Sequence, residues 1–114
     1  MKSILYFVLC ACVVWGFAGE AQAKTNGNTL LEHCHDYADE ATMATGFCLG
    51  YVLGVHEIAV DNSPGYCILT GVTNNQLVLV FAKYLKDNPA ELHIEATTLV
   101  LMAFSEAFPC PEGE

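Results

Sequence analysis

The chain has 114 residues, with 13 acidic and 4 basic side chains, a formal net charge of −9, and 54% hydrophobic residues. This length accommodates one small domain and leaves no room for a second core of comparable size. Because the chain has only four cations, all lysines, against 13 acidic residues, it cannot neutralise the phosphates of a nucleic acid, and nucleic-acid binding is excluded. Anionic membrane surfaces are disfavoured for the same reason, whereas a basic protein partner would be attracted.

The first 23 residues have the pattern of a secretory signal peptide. One lysine precedes the apolar run Ile4–Phe17, and small and polar residues then lead to Ala21-Gln22-Ala23. A basic start, an apolar centre and a small-x-small end are typical of a cleaved leader, whereas a membrane span needs about 20 apolar residues. We predict cleavage after Ala23 and a single exported domain over 24–114, with no stable membrane insertion. Lipidation at Cys12 is an alternative that the length of the apolar run disfavours.

Four cysteines remain once the leader is removed, namely Cys34, Cys48, Cys67 and Cys110. In a small exported domain, this number predicts two disulfides formed in an oxidising compartment. Zinc binding is the competing interpretation, but the sequence has no Cys-x-x-Cys or His-x-x-x-His pair. We therefore predict disulfides, no metal site and no cofactor.

The first two predicted helices of the exported domain follow each other closely. The first begins at the capping box Thr29-Leu30-Leu31-Glu32 and fades near Ala41, and the second runs from about Thr45 to Asp61. Glycines at positions 46, 50 and 54 line one side of the second helix, where each costs about 1 kcal/mol relative to alanine. Their spacing predicts that another backbone packs closely against them in the core of the domain.

The last two predicted helices are separated by a very short turn. The third begins at the capping box Thr73-Asn74-Asn75-Gln76 and ends at Asp87. Asn88-Pro89 supplies the N-cap and first position of the fourth, which stops before Pro109. No segment has a sustained alternation typical of a strand. We expect an all-α fold, a small bundle of about four helices held by two disulfides.

Helix lengths favour one of the three possible disulfide connectivities. The short turn makes the third and fourth helices antiparallel, which brings Cys67 back to Cys110, and Cys34 meets Cys48 across the first hairpin. A bond between Cys48 and Cys67 would instead have to bridge roughly 24 Å of helix at about 1.5 Å per residue. We predict Cys34–Cys48 and Cys67–Cys110, each contributing about 3–4 kcal/mol to the free energy of unfolding.

Catalytic groups are sparse in the exported domain. Its two serines, Ser63 and Ser105, do not lie in a Gly-x-Ser-x-Gly elbow, and the four cysteines are assigned to disulfides. His33 and His35 point to nearly opposite sides of a helix, and His56-Glu57 lacks the second histidine of a zinc protease motif. The acidic residues between positions 36 and 40 do not match a calcium loop. The sequence predicts that the protein is not an enzyme.

An ordered set of short motifs in the exported domain resembles a known family. The motifs are Asn28-Thr29-Leu30-Leu31 with Cys34, Cys48-Leu49-Gly50-Tyr51-Val52-Leu53-Gly54-Val55, Cys67 with Gly71-Val72-Thr73 and Gln76, Tyr84-Leu85 with Pro89 and Leu92-His93, and Ala107-Phe108-Pro109-Cys110. In this order, they resemble the Rap/Tai family of type VI secretion amidase immunity proteins. The resemblance covers nearly all of the exported domain, although the loop Asp61–Tyr66 has little to match.

The resemblance implies a periplasmic, all-helical homodimer that protects a bacterium from a secreted amidase of the papain-like Cys-His type. It implies that the immunity protein occludes the cleft of that amidase, so that peptidoglycan stem peptides cannot enter. The motif residues are mostly glycines, cysteines and apolar positions, which serve the scaffold. They therefore leave open which residues contact the partner.

Two turns are the candidates for partner contact because we expect them to be exposed and polar. The first carries Lys86, Asp87, Asn88 and Glu91, and the second carries Asp61, Asn62 and Tyr66. An ordinary solvated connection between helices explains either turn equally well. The alternative function is a periplasmic helical stress chaperone, or a binding module without an amidase partner, that exposes apolar surface when acid neutralises its carboxylates.

Overall fold

A computed structural model describes residues 24–62 and 64–112 of the chain, so the predicted signal peptide lies outside the described residues. Over these residues the fold consists of four α-helices and one short 3-10 helix. In chain order they are α1 (Gly27–Cys34), α2 (Met43–Val60), α3 (Asn74–Asp87), the 3-10 helix (Pro89–Glu91) and α4 (Ala96–Ala107). Over the described ranges the one β-type pairing is an isolated antiparallel bridge between Asn26 and Glu95. The all-α prediction is confirmed.

The N-cap of the first helix lies three residues before the predicted capping box. Asn26 is its N-cap, and the side-chain oxygen of Asn26 accepts hydrogen bonds from the backbone N–H groups of Asn28 and Thr29. The helix ends at Cys34, and the chain continues through turns rather than as helix to Ala41. The predicted start at Thr29 was wrong because Asn26 already satisfies the free N–H groups of the first turn.

The second and third helices each begin with a reciprocal cap. Thr42 caps α2, three residues before the predicted start near Thr45, and the Thr42 N–H donates to the Thr45 hydroxyl over 2.8 Å. The predicted box at the start of α3 is confirmed, since the Thr73 N–H donates to the Gln76 side chain over 2.8 Å and the Gln76 N–H donates to the Thr73 hydroxyl over 3.1 Å.

The fourth helix begins at Ala96, seven residues after the predicted first position. Pro89 opens only the 3-10 helix, and the following residues pair with the start of the exported domain. The N–H groups of Gly27 and Asn28 donate to the carbonyl oxygens of Ile94 and Leu92, respectively. A Cβ at Gly27 would lie 2.9 Å from the Leu92 backbone, so this close approach requires glycine. The long-range pairing takes the place of the first helical turns that the sequence predicts.

The core lies between the four helices and is closed by two disulfides. They join Cys34 to Cys48 and Cys67 to Cys110, with Cα–Cα separations of 5.2 and 4.9 Å, as predicted. The first links the end of α1 to α2, and the second links the segment before α3 to the residues after α4. The largest fully buried side chains are Phe81, Phe104, Leu30, Leu85, Leu99, Val52, Val78 and Val100.

The three glycines of α2 do not lie in the core. All three are exposed, and a Cβ built at Gly46, Gly50 or Gly54 would meet no other part of the described chain within 4 Å. The predicted close packing inside the domain is therefore wrong, because α2 presents Cys48 and Val52 to the core instead. By length and composition α2 is the one described helix that could cross a membrane, with a mean hydropathy of 1.4, and only 22% of it is buried.

Candidate partner-binding site

The first candidate, here named the acidic turn, comprises residues 86–91 between α3 and the 3-10 helix. Asn88 ends α3 in a non-helical conformation, and its side-chain N–H donates to the Tyr84 carbonyl oxygen over 2.8 Å. Pro89 then starts the 3-10 helix, where its missing N–H removes no hydrogen bond. The turn is thus a short, capped reversal rather than a flexible loop.

A buried tyrosine anchors the far side of the acidic turn. The Tyr84 hydroxyl donates to Glu91 Oε2 over 2.7 Å, and Tyr84 itself is only 8% exposed. Burial, followed by the hydrogen bond to Glu91 and the negative charges of Glu91 and Glu106, raises the pKa of Tyr84 to about 12. The hydroxyl therefore stays protonated at physiological pH and remains a hydrogen-bond donor to the half-buried Glu91 carboxylate.

Both lysines near the acidic turn have partners within the chain. Lys86 Nζ donates to the His35 carbonyl oxygen over 2.9 Å, so it connects the turn to the end of α1. Lys83 pairs with Asp87 one helical turn away, and this hydrogen bond raises the pKa of Lys83. The exposed pair contributes little to stability. It nevertheless holds the Asp87 side chain at the end of α3.

An open cavity of about 330 Å³ lies between α3 and α4, beside the acidic turn. Its apolar wall includes Val80 and Ala103, and its polar rim includes Lys83, Asp87 and Glu106. Lys83 pairs with Asp87, and Glu106 adds a second carboxylate, so the rim carries more negative than positive charge. A lysine or arginine could lay its aliphatic stem along the wall while its charge meets this rim. The cavity thus suits a basic side chain from a partner.

The second candidate turn offers fewer groups than the sequence predicts. Asp61 and Asn62 are exposed at the end of α2, and the Asn62 side chain donates to the Ile58 carbonyl oxygen over 2.8 Å. Tyr66, however, is 4% exposed, and its ring packs edge-on against Phe104 with ring centroids 5.4 Å apart. The expectation that Tyr66 is an exposed polar group of this turn is therefore wrong, because its ring belongs to the core.

Three of the four described histidines, and all four described cysteines, are engaged in local contacts. His33 Nδ1 lies 2.7 Å from the Thr29 carbonyl oxygen, and His56 Nδ1 lies 2.8 Å from the Tyr66 hydroxyl. All four cysteines of the exported domain form disulfides. Within residues 24–62 and 64–112, no group of three or more potential ligand side chains could hold a metal ion. The absence of enzyme activity and of cofactors stays a prediction.

Sequence reasoning missed an exposed apolar surface on α2, here named the glycine face. It comprises Met43, Gly46, Phe47, Gly50, Gly54 and Ile58. Met43, Phe47 and Ile58 are 93, 44 and 71% exposed. The glycine spacing and the high hydropathy were visible in the sequence, but both are equally typical of a helix buried inside its own domain.

Comparison with known proteins gives one match. The family model of the Rap1a immunity proteins matches residues 26–110, which include all four disulfide cysteines and the acidic turn. No curated protein and no solved structure matches the chain significantly. Because the family match covers most of the sequence, the chain belongs to the Rap1a immunity protein family.

Proposed function

We propose that the protein is a periplasmic immunity protein that binds a type VI secreted peptidoglycan amidase and occludes its active site. It would thereby protect the cell from its own effector and from that of its siblings. The family match over residues 26–110 carries this proposal, since it supports immunity against a secreted effector. The amidase target, the periplasmic location and the occlusion are the parts that we add.

Two features favour the periplasm. The first 23 residues have the pattern of a cleaved leader, with predicted cleavage after Ala23. The described part of the exported domain contains two disulfides, which form and persist in oxidising compartments. A peptidoglycan amidase acts in that same compartment, so an immunity protein located there would meet the enzyme at its site of action.

We propose the acidic turn as the part that blocks the amidase. Lys86, Asp87, Asn88 and Glu91 would contact the rim of the enzyme cleft, with Asp61 and Asn62 as the alternative contact. Exposed Asp87 and Glu106 border the cavity between α3 and α4, and the formal net charge of −9 would steer a basic effector towards the protein. Occlusion needs shape and charge but no catalytic group in the immunity protein itself.

We also propose that the protein forms a homodimer, as the family resemblance implies. Self-association and amidase binding are measured separately, so either proposal can be refuted without the other. Sedimentation of the purified protein tests the first, and inhibition of the amidase tests the second.

Capture of the effector tests the proposed function. The oxidised protein, exported with its own leader and tagged at its C-terminus, is incubated with the proteins secreted by its own strain. We expect it to retain one enzyme that cleaves peptidoglycan stem peptides, and to inhibit that enzyme at a one-to-one ratio of binding sites. An amidase whose activity is unchanged by excess protein would contradict the proposal. Suppression of protein aggregation in acid, without amidase inhibition, would favour the chaperone instead.

A further inference from the structure

The second helix is far more apolar than its packing within the chain requires. Its mean hydropathy of 1.4 over 18 residues would suit a membrane span, yet only 22% of it is buried. Its buried side chains are Thr45, Cys48 and Val52, which occupy one narrow stripe. On the opposite side, the glycine face leaves Met43 and Ile58 in solvent. Single exposed apolar residues are common, but an aligned set along a whole helix indicates a binding surface.

The glycines give this surface a shape that suits another helix. Gly46, Gly50 and Gly54 recur every four residues, so they form one continuous shallow groove with nothing else of the described chain above it. Rows at this spacing on two helices interdigitate at a crossing angle of about −50°. Glycine destabilises a helix interior, so three on one face are costly unless a second backbone approaches them.

Charge indicates what approaches the glycine face. No charged residue occurs between Met43 and His56, although the whole chain carries a formal net charge of −9. The exposed Glu57 lies two turns after Gly50 on the same side of α2, so the glycine face is uncharged around Gly50 and carries one carboxylate near its C-terminal end. A second copy carries the same negative charge, so two copies can approach closely only where the surface is uncharged. A basic effector would instead be attracted to carboxylates such as Asp87 and Glu106.

A lipid bilayer is not the occupant of this surface. The opposite side of α2 packs into the core, and the disulfide Cys34–Cys48 ties the helix to α1. Moving α2 into hydrocarbon would therefore expose the core. The helix also carries Glu57 near its end and is followed by Asp61, and both carboxylates would have to be desolvated.

We infer that the glycine face is the contact surface of a homodimer, in which the α2 helices of two copies cross at Gly50. This inference rests on the homodimer of the proposed function and assigns its interface. An α2 helix of 18 residues is about 27 Å long. At a helix diameter of about 10 Å, its face offers on the order of 300 Å², compared with about 800 Å² per partner in a typical stable complex. The contact is therefore smaller than that of a typical stable complex, and we expect dimerisation to depend on protein concentration.

The test is sedimentation velocity of wild type and Gly50→Leu over a series of concentrations. Leucine has room at this position and favours helix more than glycine does. We expect the dimer dissociation constant to rise at least tenfold while the melting temperature of the monomer stays the same or rises. Thr98→Leu adds the same side chain to an exposed position of α4 and should leave the dissociation constant unchanged.

A cross-link distinguishes this interface from another one. Gly50→Cys should form an intermolecular disulfide under mild oxidation, whereas Thr98→Cys should not. The assigned interface would be overturned if Gly50→Leu still dimerises, or if Gly50→Cys forms no cross-link. Neither result would contradict the homodimer itself. A wild-type protein that is monomeric at every concentration would overturn both, without affecting amidase binding through the acidic turn.

Discussion

The wild-type protein should lose stability in strong alkali because Tyr84 ionises there, and the variant Tyr84→Phe should not show this loss. Burial, the hydrogen bond to Glu91 and the neighbouring carboxylates raise the pKa of Tyr84 from its ordinary value near 10 to about 12. The folded state therefore favours the protonated hydroxyl. Its contribution to stability is fully present below pH 10 and is lost as the pH rises from 10 through 12.

The size of this loss follows from the pKa shift. A shift of two pKa units corresponds to about 2–3 kcal/mol of unfolding free energy, at about 1.4 kcal/mol per unit. At neutral pH, Tyr84→Phe should have the lower free energy of unfolding, because it lacks the hydrogen bond to the charged Glu91 carboxylate, which is worth about 1.5–3 kcal/mol. The two proteins should therefore approach each other in stability as the pH rises towards 12.

Urea denaturation followed by circular dichroism at several pH values between about 8 and 12 measures this difference. Burial also raises the pKa of Tyr51 and of Tyr66, so both proteins lose some stability in alkali. Subtracting one curve from the other isolates Tyr84. A difference between the two proteins that stays constant across this pH range would refute the reasoning. In that case the hydrogen bond to Glu91 would not hold the acidic turn.

Two further predictions concern the proposed effector interface at the acidic turn and the close approach at the start of α1. Asp87→Lys should weaken effector binding at least tenfold, most strongly at low salt. The melting temperature should change little, because the pair that Asp87 forms with Lys83 is exposed. Equal affinity of wild type and Asp87→Lys for the effector in calorimetry would exclude the acidic turn from the effector interface. Gly27→Ala should lower the free energy of unfolding by about 1–3 kcal/mol, because its Cβ would collide with the Leu92 backbone. Gly46→Ala, measured at a concentration where the protein is monomeric, is the matched control, and it should raise the free energy of unfolding by up to about 1 kcal/mol. A Gly27→Ala protein as stable as wild type would contradict the close approach.

Glu91 is unsuited to a simple test of effector binding, even though it lies in the same turn. Its carboxylate accepts the hydrogen bond from Tyr84, so a substitution would leave a buried hydroxyl without a partner. A change in effector affinity at this position would then combine a lost contact with a displaced turn. Asp87, whose partner is an exposed lysine, separates the two effects.

The parts of the fold that depend on local signals were predictable from the sequence. The capping box at Thr73 and Gln76 acts over three residues, and the structure has it as predicted. Both disulfides are as predicted, although residues 88–95 connect α3 to α4 and replace the very short turn from which the second pairing was argued. The capping box needs no knowledge of distant contacts.

The starts of α1 and α4 were not predictable in the same way. Both depend on the pairing of Gly27 and Asn28 with Leu92 and Ile94, which are more than sixty positions away along the chain. This pairing places Asn26 at the N-cap of α1 and delays α4 to Ala96. Periodicity along a single segment carries no information about such a contact.

The candidate site, too, was only partly predictable from the sequence. Its position in the turn after α3 followed from Asn88 and Pro89, but the partners of its side chains did not. Lys86 donates to the backbone of His35, just after the end of α1, and Tyr84 reaches Glu91 across the 3-10 helix. Tyr66 appeared to be a polar loop residue, yet it packs into the core beside Phe104.

The most direct test of the account is protection of living cells. A susceptible bacterium that directs the captured amidase to its own periplasm is supplied with this protein, either with its leader or without residues 2–23. We predict that cells survive only when the leader is present, and that Asp87→Lys reduces survival although the protein accumulates to the same level. Lysis despite abundant, oxidised protein in the periplasm would contradict the proposed immunity function.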